Sequence, residues 1–241
     1  MRGPPMFSID VTNFALITHA VPAERVRAHL PSGYELETFG GEQGSRALVT
    51  ATCFCNHDFR LAGIGVPRHT FNESTYRTYV THKGRKGVYF FGRYLGTRLA
   101  RASQRIVARD THLAGFEVRT DARTSGYRSY ICRASSPAGE TSFELQAEDE
   151  PQATELFASG AEHTRSLTYR LHGFFTTSLG TQGHMPVGHP PMDAFAGRLR
   201  TGRFDLWTNL EILKEEEAAH PHSVLVVKQV PFRLYPPRPL V

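Results

Sequence analysis

The sequence predicts an α+β protein built round one large, curved, mainly antiparallel sheet or barrel. Three observations point there. Short runs of β-branched and aromatic residues recur along all 241 residues, glycine and proline punctuate them at intervals of roughly ten residues, and few stretches carry helical periodicity. Strands joined mainly by hairpins, with a few helices inserted, fold in this way. No internal repeat or long linker divides the chain, so residues 1–241 read as a single domain.

Phe7 to His19 reads as the first strand; Pro22 then stands at a helix start before Ala23 to Leu30, and Pro31-Ser32-Gly33 closes that helix. Ala47 to Cys55, Thr75 to Val80 and Gly87 to Leu95 continue as strands, the last two joined by a hairpin turn in HKGRKG. Thr97 to Ala108 lacks glycine and proline and sets Leu99, Ala102, Ile106 and Val107 on one face, which predicts a helix. Further strands are expected at Gly115 to Thr120, Tyr127 to Ala134, Ser142 to Gln146, Ser166 to Thr176 and Ser223 to Tyr235. A helix is expected at Met192 to Leu199, begun by Pro190-Pro191, and an acidic piece follows at Glu211 to Glu217.

Composition narrows the function classes. With 40% hydrophobic and 21% charged residues the chain is an ordinary globular protein, and no run approaches the length of a membrane span. The amino terminus lacks the basic-then-apolar pattern of a secretory signal, so a cytoplasmic address is expected. Cys53, Cys55 and Cys132 are an odd number without zinc-site spacing and read as reduced thiols. The formal charge of +5 comes from 28 basic residues, only four of them lysine, scattered rather than massed. Nucleic acid is therefore not the expected partner, although Arg98, Arg101 and Arg105 form a basic stripe at helical spacing.

The run FNESTYRTYVTHKGRKGVYFFGRYLG, residues 71–96, resembles the central hallmark of the YqjF-like family of domains of unknown function. THAVPAERVRAHLPSGYEL, VGHPPM and VPFRLYPPRP resemble that family's opening, late and C-terminal motifs in the same order. The family is grouped with the acetoacetate decarboxylase-like superfamily. The resemblance implies a cone-shaped, mainly antiparallel β-barrel with external helices, an internal small-molecule cavity, and possible homo-oligomers. It also aligns Asn72-Glu73, the Lys83 to Gly87 turn, Tyr94-Leu95 and the Thr97 to Ala108 helix with the decarboxylase pattern. There the decarboxylases carry a G-F-P-K-K loop with the catalytic lysine, whereas this chain has Thr111 and His112. Threonine has no amine, so Schiff-base chemistry is not expected.

Strand alternation sets Glu73, Thr75, Arg77 and Tyr79 on one face. Glu73 is a candidate proton-transfer group, with Arg77 and Tyr79 holding an anionic substrate; the alternative is an internal Glu73–Arg77 ion pair. Resemblance adds weight to Glu73, which falls where the decarboxylases have their active-site glutamate. It also marks His19, where they have a substrate-binding arginine. His19 and His112 are candidate acid/base groups or plain structural histidines. Arg93 interrupts an apolar strand beside Tyr89 and Phe91, as a second anion contact or an arginine packed on aromatic rings. Thr111 joins the substrate-binding candidates, and His189 is expected to order a loop at the cavity mouth. His184 and His189 are five residues apart, but the spacing lacks an accompanying carboxylate and is broken by Pro186, so no metal site is expected. No phosphate-loop, dinucleotide or nucleophile-elbow motif is present, and no cofactor is expected.

The sequence thus predicts a small-molecule enzyme without a Schiff-base lysine, performing lyase, cyclase or isomerase chemistry on an anionic carbonyl compound. The alternative is a non-catalytic protein that binds a small molecule in the same cavity.

Overall fold

A computed structural model describes residues 4–40, 45–61, 69–105 and 108–240. Strand β1 (Phe7–Pro22) leads through helix α1 (Ala23–Arg27) and β2 (Glu35–Leu36) into a long meander. Its strands are β3 (Arg46–Leu61), β4 (His69–His82) and β5 (Arg85–Leu95). The β4–β5 turn has Lys83 and Gly84 at φ 48° and 74°, the left-handed pair that a two-residue hairpin requires. Helix α2 (Arg98–Arg105) and β6 (Thr111–Leu113) precede a second meander, β7 (Gly115–Arg123), β8 (Gly126–Ser136) and β9 (Gly139–Asp149). The chain then passes through α3 (Gly160–Thr168), β10 (His172–Thr176), β11 (Gln182–Gly188) and β12 (Ala194–Phe204). Helix α4 (Asp205–Asn209), β13 (Ser223–Leu234) and β14 (Arg238–Pro239) complete it.

Seven strands close into a ring in the order β1-β3-β4-β5-β10-β11-β13, the last pairing again with β1. Closure comes from two features. Strand β10 lies parallel to β5 through Gly173 opposite Val88, and β11 meets β13 through Val187 opposite Leu234. The remaining ring pairs are antiparallel. At the parallel seam Gly87 is required, since a Cβ there would stand 2.3 Å from the His172 carbonyl.

Strands β12, β9, β8 and β7 extend the sheet outward from β13. Their inner face buries Tyr130, Phe143 and Leu145 against Ile17, Val49 and Tyr76 of the ring, with Trp207 of α4 completing this core. A second core fills the ring itself, with Phe14, Leu16, Leu48 and Leu225 under Leu167 of α3 and nearby Phe157. Among the described residues no helix is long and apolar enough to cross a membrane.

Several segments differ from the sequence-based expectation, among them β11, where no strand was expected. Residues 192–199 are not a helix: β12 begins at Ala194 and pairs with β9 and β13. Gly197 sits where a Cβ would strike the Gln146 carbonyl at 1.9 Å, so backbone proximity to β9 overrides the proline start signal. The expected strand at Ser166 to Thr176 begins as helix α3, whose N-cap Ser159 accepts from the Glu162 amide while the Glu162 carboxylate accepts from the Ala158 amide. On α2, Leu99 is 60% exposed and Ala100 is buried; Ile106 and Val107 of the expected apolar face lie outside the described residues. On the same helix the Gln104 side-chain Oε1 accepts a hydrogen bond from Arg93.

His19 belongs to the core between ring and outer sheet. Its ring lies edge-on to Phe204 and its Nε2 donates to the Ala218 carbonyl at 3.1 Å. Burial lowers its pKa from 6.5 to about 4. Below pH 6.5 the unfolded chain takes up a proton that the folded chain refuses, so this contribution to stability is full above pH 6.5 and is lost as pH falls toward 4. The loss amounts to roughly 3 kcal/mol for this group. Burial lowers His184 and His222 to about 4 as well. Denaturant unfolding between pH 7.5 and pH 4 is therefore expected to show a steep acid-side fall. His19→Gln, which keeps a donor for Ala218, should flatten the slope by about one proton; an unchanged slope would remove His19 from the account.

Candidate active site

The ring encloses a cavity of about 110 Å³ to which all seven of its strands contribute. Phe14, Phe54, Phe90, Phe175 and Phe232 make much of its wall, and Glu73, Arg77, Arg93, Asn56 and Gln104 supply the polar groups. Alternation along β4 carries Glu73, Thr75 and Arg77 inward together. Tyr79, next on that face, lies beyond the cavity under α3, where its hydroxyl bonds Thr50 Oγ1 at 2.9 Å and the Leu167 carbonyl at 3.4 Å.

Arg93 reaches the cavity because β5 is irregular. Opposite β4 the register passes from Tyr76–Gly92 to Arg77–Phe90, so Phe91 is the extra residue of a bulge. Phe90 and Arg93 line the cavity, while Phe91 turns out to Trp207 and Tyr89 to Tyr34. Simple alternation grouped Arg93 with Tyr89 and Phe91; the bulge separates them. Strand β1 uses the same device, with Asn13 at φ 52° between inward-facing Val11 and Phe14.

Glu73 and Arg93 form a buried ion pair. Arg93 donates from Nε at 3.0 Å and from Nη2 at 2.6 Å, both to Glu73 Oε1. Asn56 Nδ2 donates to Glu73 Oε2 at 3.0 Å, and Arg93 Nη1 donates to Gln104. Among the described residues these contacts leave one lone-pair direction on Glu73 Oε2 open. Arg93 spends three of its five N–H groups on these partners and retains two.

Arg77 is differently placed. It is 8% exposed, its Nη2 donates to the Leu167 carbonyl at 3.3 Å, and its guanidinium lies over Phe14. Its Nε has no partner, and no carboxylate pairs with it among the described residues. Burial lowers its pKa, opposed by Tyr79 and reinforced by the charge of Arg170. The expected alternative of a Glu73–Arg77 pair is not what forms: Glu73 takes Arg93, and Arg170 takes Glu37 at 3.0 Å. A buried guanidinium without a counterion is costly to the fold.

The remaining candidates lie outside the cavity lining. His19 faces the opposite side of β1. Strand β6 runs parallel to β5 with Thr111 opposite Arg93 and His112 opposite Tyr94. The Thr111 hydroxyl donates to the Ala108 carbonyl at 3.2 Å, and the His112 ring tilts against Tyr94. His189 packs on Phe232, itself a cavity residue, and on Tyr169, with Nδ1 donating to the Pro190 carbonyl at 2.8 Å. Burial lowers the His189 pKa and the charge of Arg77 adds to the effect, which sets this loop beside the Arg77 end of the cavity. His184 is turned elsewhere, toward His172 at 2.8 Å. Asn56 and Gln104, the two uncharged groups that hold Glu73 and Arg93, were not singled out from the sequence; both are polar residues in otherwise apolar or basic segments.

None of the four lysines lines the cavity. Lys83 is in the β4–β5 turn and Lys86 at the exposed start of β5, Lys214 lies near Glu216, and Lys228 donates to the Arg123 and Thr124 carbonyls.

The family model for an uncharacterized conserved protein (COG2071) matches residues 9–231. No curated protein matches the chain. Solved structures share its fold across nearly its whole length. The enduracididine biosynthesis enzyme MppR, complexed with the condensation product of pyruvate and imidazole 4-carboxaldehyde, aligns with TM-score 0.66 at 13% identity, over 98% of this chain and 90% of that one. An acetoacetate decarboxylase-like enzyme from Sphingomonas wittichii aligns with TM-score 0.63 at 11% identity, over 99% and 94%. Acetoacetate decarboxylase from Legionella pneumophila aligns with TM-score 0.63 at 14% identity, over 100% and 88%. The chain therefore belongs to DUF2071, a family of uncharacterized conserved proteins, and its fold is that of the acetoacetate decarboxylase-like enzymes.

Proposed function

We infer that the protein is an enzyme acting on a small anionic carbonyl compound without a Schiff base. One observation carries the reading: a largely apolar cavity holds a clamped carboxylate, Glu73, and a buried guanidinium, Arg77, that has no counterion among the described residues. A volume of about 110 Å³ is the room of about four waters in the liquid, which suits a short oxo acid. The substrate carboxylate would take the free N–H of Arg77, and the apolar wall would strengthen that contact by excluding water.

The carbonyl end then meets Glu73 and Arg93. The open lone pair on Glu73 Oε2 would accept a proton from the carbon beside the carbonyl, and the unused N–H groups of Arg93 would stabilise the developing enolate oxygen. Enolisation of this kind is the shared first step of lyase, cyclase and isomerase outcomes. MppR, which shares the fold, holds the condensation product of pyruvate and an aldehyde, and carbon–carbon chemistry on an oxo acid suits the cavity layout found in this chain. His189 sits where it would order the Arg77 end. His19, His112, Thr111 and Tyr79 act through packing and hydrogen bonds outside the cavity.

Schiff-base catalysis needs an amine in the cavity, and the four lysines lie elsewhere. Borohydride reduction in the presence of pyruvate or acetoacetate is expected to leave the protein mass unchanged; a trapped adduct on any lysine would overturn the reading. A binding protein in the same cavity is the second reading, favoured by the three hydrogen bonds that already occupy Glu73.

Proton NMR in deuterated water with a panel of 2-oxo and 3-oxo acids separates the two. Deuterium exchange or product formation that falls by at least about a hundredfold in Glu73→Gln is expected for the enzyme. Line broadening without exchange, alike in both proteins, would leave only binding. Arg77→Met should weaken oxo-acid binding by roughly ten- to a hundredfold while sparing the matching esters, and should raise the melting temperature of the unliganded protein by relieving an unpaired buried charge. A lowered melting temperature with unchanged oxo-acid affinity would make Arg77 a structural residue.

A further inference from the structure

Helix α2 carries positive charge that its surroundings do not balance. Arg98, Arg101 and Arg105 stand at i, i+3 and i+7 and, with Ala102 and Leu113, line an open depression on the surface. Like charges at these spacings repel along a helix, and the first turn, where acidic residues favour the macrodipole, has none. Elsewhere surface arginines find carboxylates: Arg25 pairs with Glu217, Arg133 with Glu140 and Arg203 with Asp205. Among the described residues none pairs with the three guanidinium groups of α2, and the Nε of Arg101 is buried without a hydrogen-bond partner.

We propose that this depression, which is separate from the central cavity, binds a small phosphorylated compound with two adjacent phosphates. Guanidinium forks match phosphate oxygens bidentately, which a solvated lysine face would not do. The stripe spans only about 10 Å, from seven helical rises, so it fits a diphosphate and is too short to follow a nucleic-acid strand. Leu113 gives an apolar side against which the rest of the ligand would rest.

His112 provides a built-in reporter. Burial lowers its pKa, Asp110 opposes this, and Arg101 and Arg105 lower it further; its ring lies on Tyr94. An anion held by these arginines would offset their field and raise the His112 titration midpoint.

The test is calorimetric titration with inorganic pyrophosphate at physiological salt, with the His112 ring proton followed by NMR against pH. Saturable binding at one site and an upward shift of the His112 midpoint are expected. Arg101→Gln/Arg105→Gln should weaken binding at least about tenfold and abolish the shift, while Arg101→Lys/Arg105→Lys should retain part of both. Arg105 is exposed and Arg101 half-buried, and an unchanged circular dichroism spectrum confirms that both variants fold. Absence of saturation, affinity unchanged in the glutamine variant, or an unmoved His112 would overturn the proposal. So would an oligonucleotide whose affinity grows with length and falls steeply with salt, since that would make the stripe a polyanion surface.

Discussion

Closure of the ring is the constraint on which the cavity depends. A sheet of this length left open would expose two edges and would have no interior. Here β11 is joined to β10 on one side and to β13 on the other, and the parallel contact of β10 with β5 completes the circuit. The seam is narrow, and it is made possible by Gly87, where backbone passes close to backbone. Residues from opposite ends of the chain, Ile9 and Leu234 among them, thereby become walls of the same small space.

Within that ring, bulges decide what faces inward. Strict alternation would turn Arg93 away from the cavity along with Tyr89 and Phe91, leaving Glu73 without its partner. One extra residue in β5 reverses this, and Asn13 in β1 has a similar effect beneath Phe14. The outward face gains as well: Phe91 and Tyr76 pack with Trp207 into the layer that carries the outer sheet. Cavity and outer core are therefore two sides of the same irregular strands.

The two interior arginines show how local pairing turns similar residues to different ends. Arg93 is neutralised by Glu73 and fastened by Gln104, so its burial is compensated and it holds the carboxylate in place. Arg77, four residues beyond Glu73, has a carbonyl, an aromatic face and the Tyr79 hydroxyl about it, and no carboxylate among the described residues. Its burial is therefore compensated less fully than that of Arg93.

Much of this was legible in the sequence. Period-two patterning placed Glu73, Thr75 and Arg77 on one face, the HKGRKG turn marked the central hairpin, and the motifs from residue 71 to 96 pointed to the superfamily whose fold the chain adopts. These are local properties, set by turn chemistry and by alternation over a few residues. Which carboxylate meets which arginine was not local. It followed from a one-residue bulge, from strand neighbours far apart in sequence and from a glutamine on α2 that reaches Arg93. The same holds for Met192 to Leu199, where a helix start signal gave way to pairing with β9 and β13, and for His19, whose face of β1 was decided by the layer that covers it. The sequence by itself determined most of the strands of the two meanders, the central hairpin turn and the charged residues available to a cavity. Only the tertiary structure decided their partners, because register, bulges and ring closure depend on contacts that no short window of sequence contains.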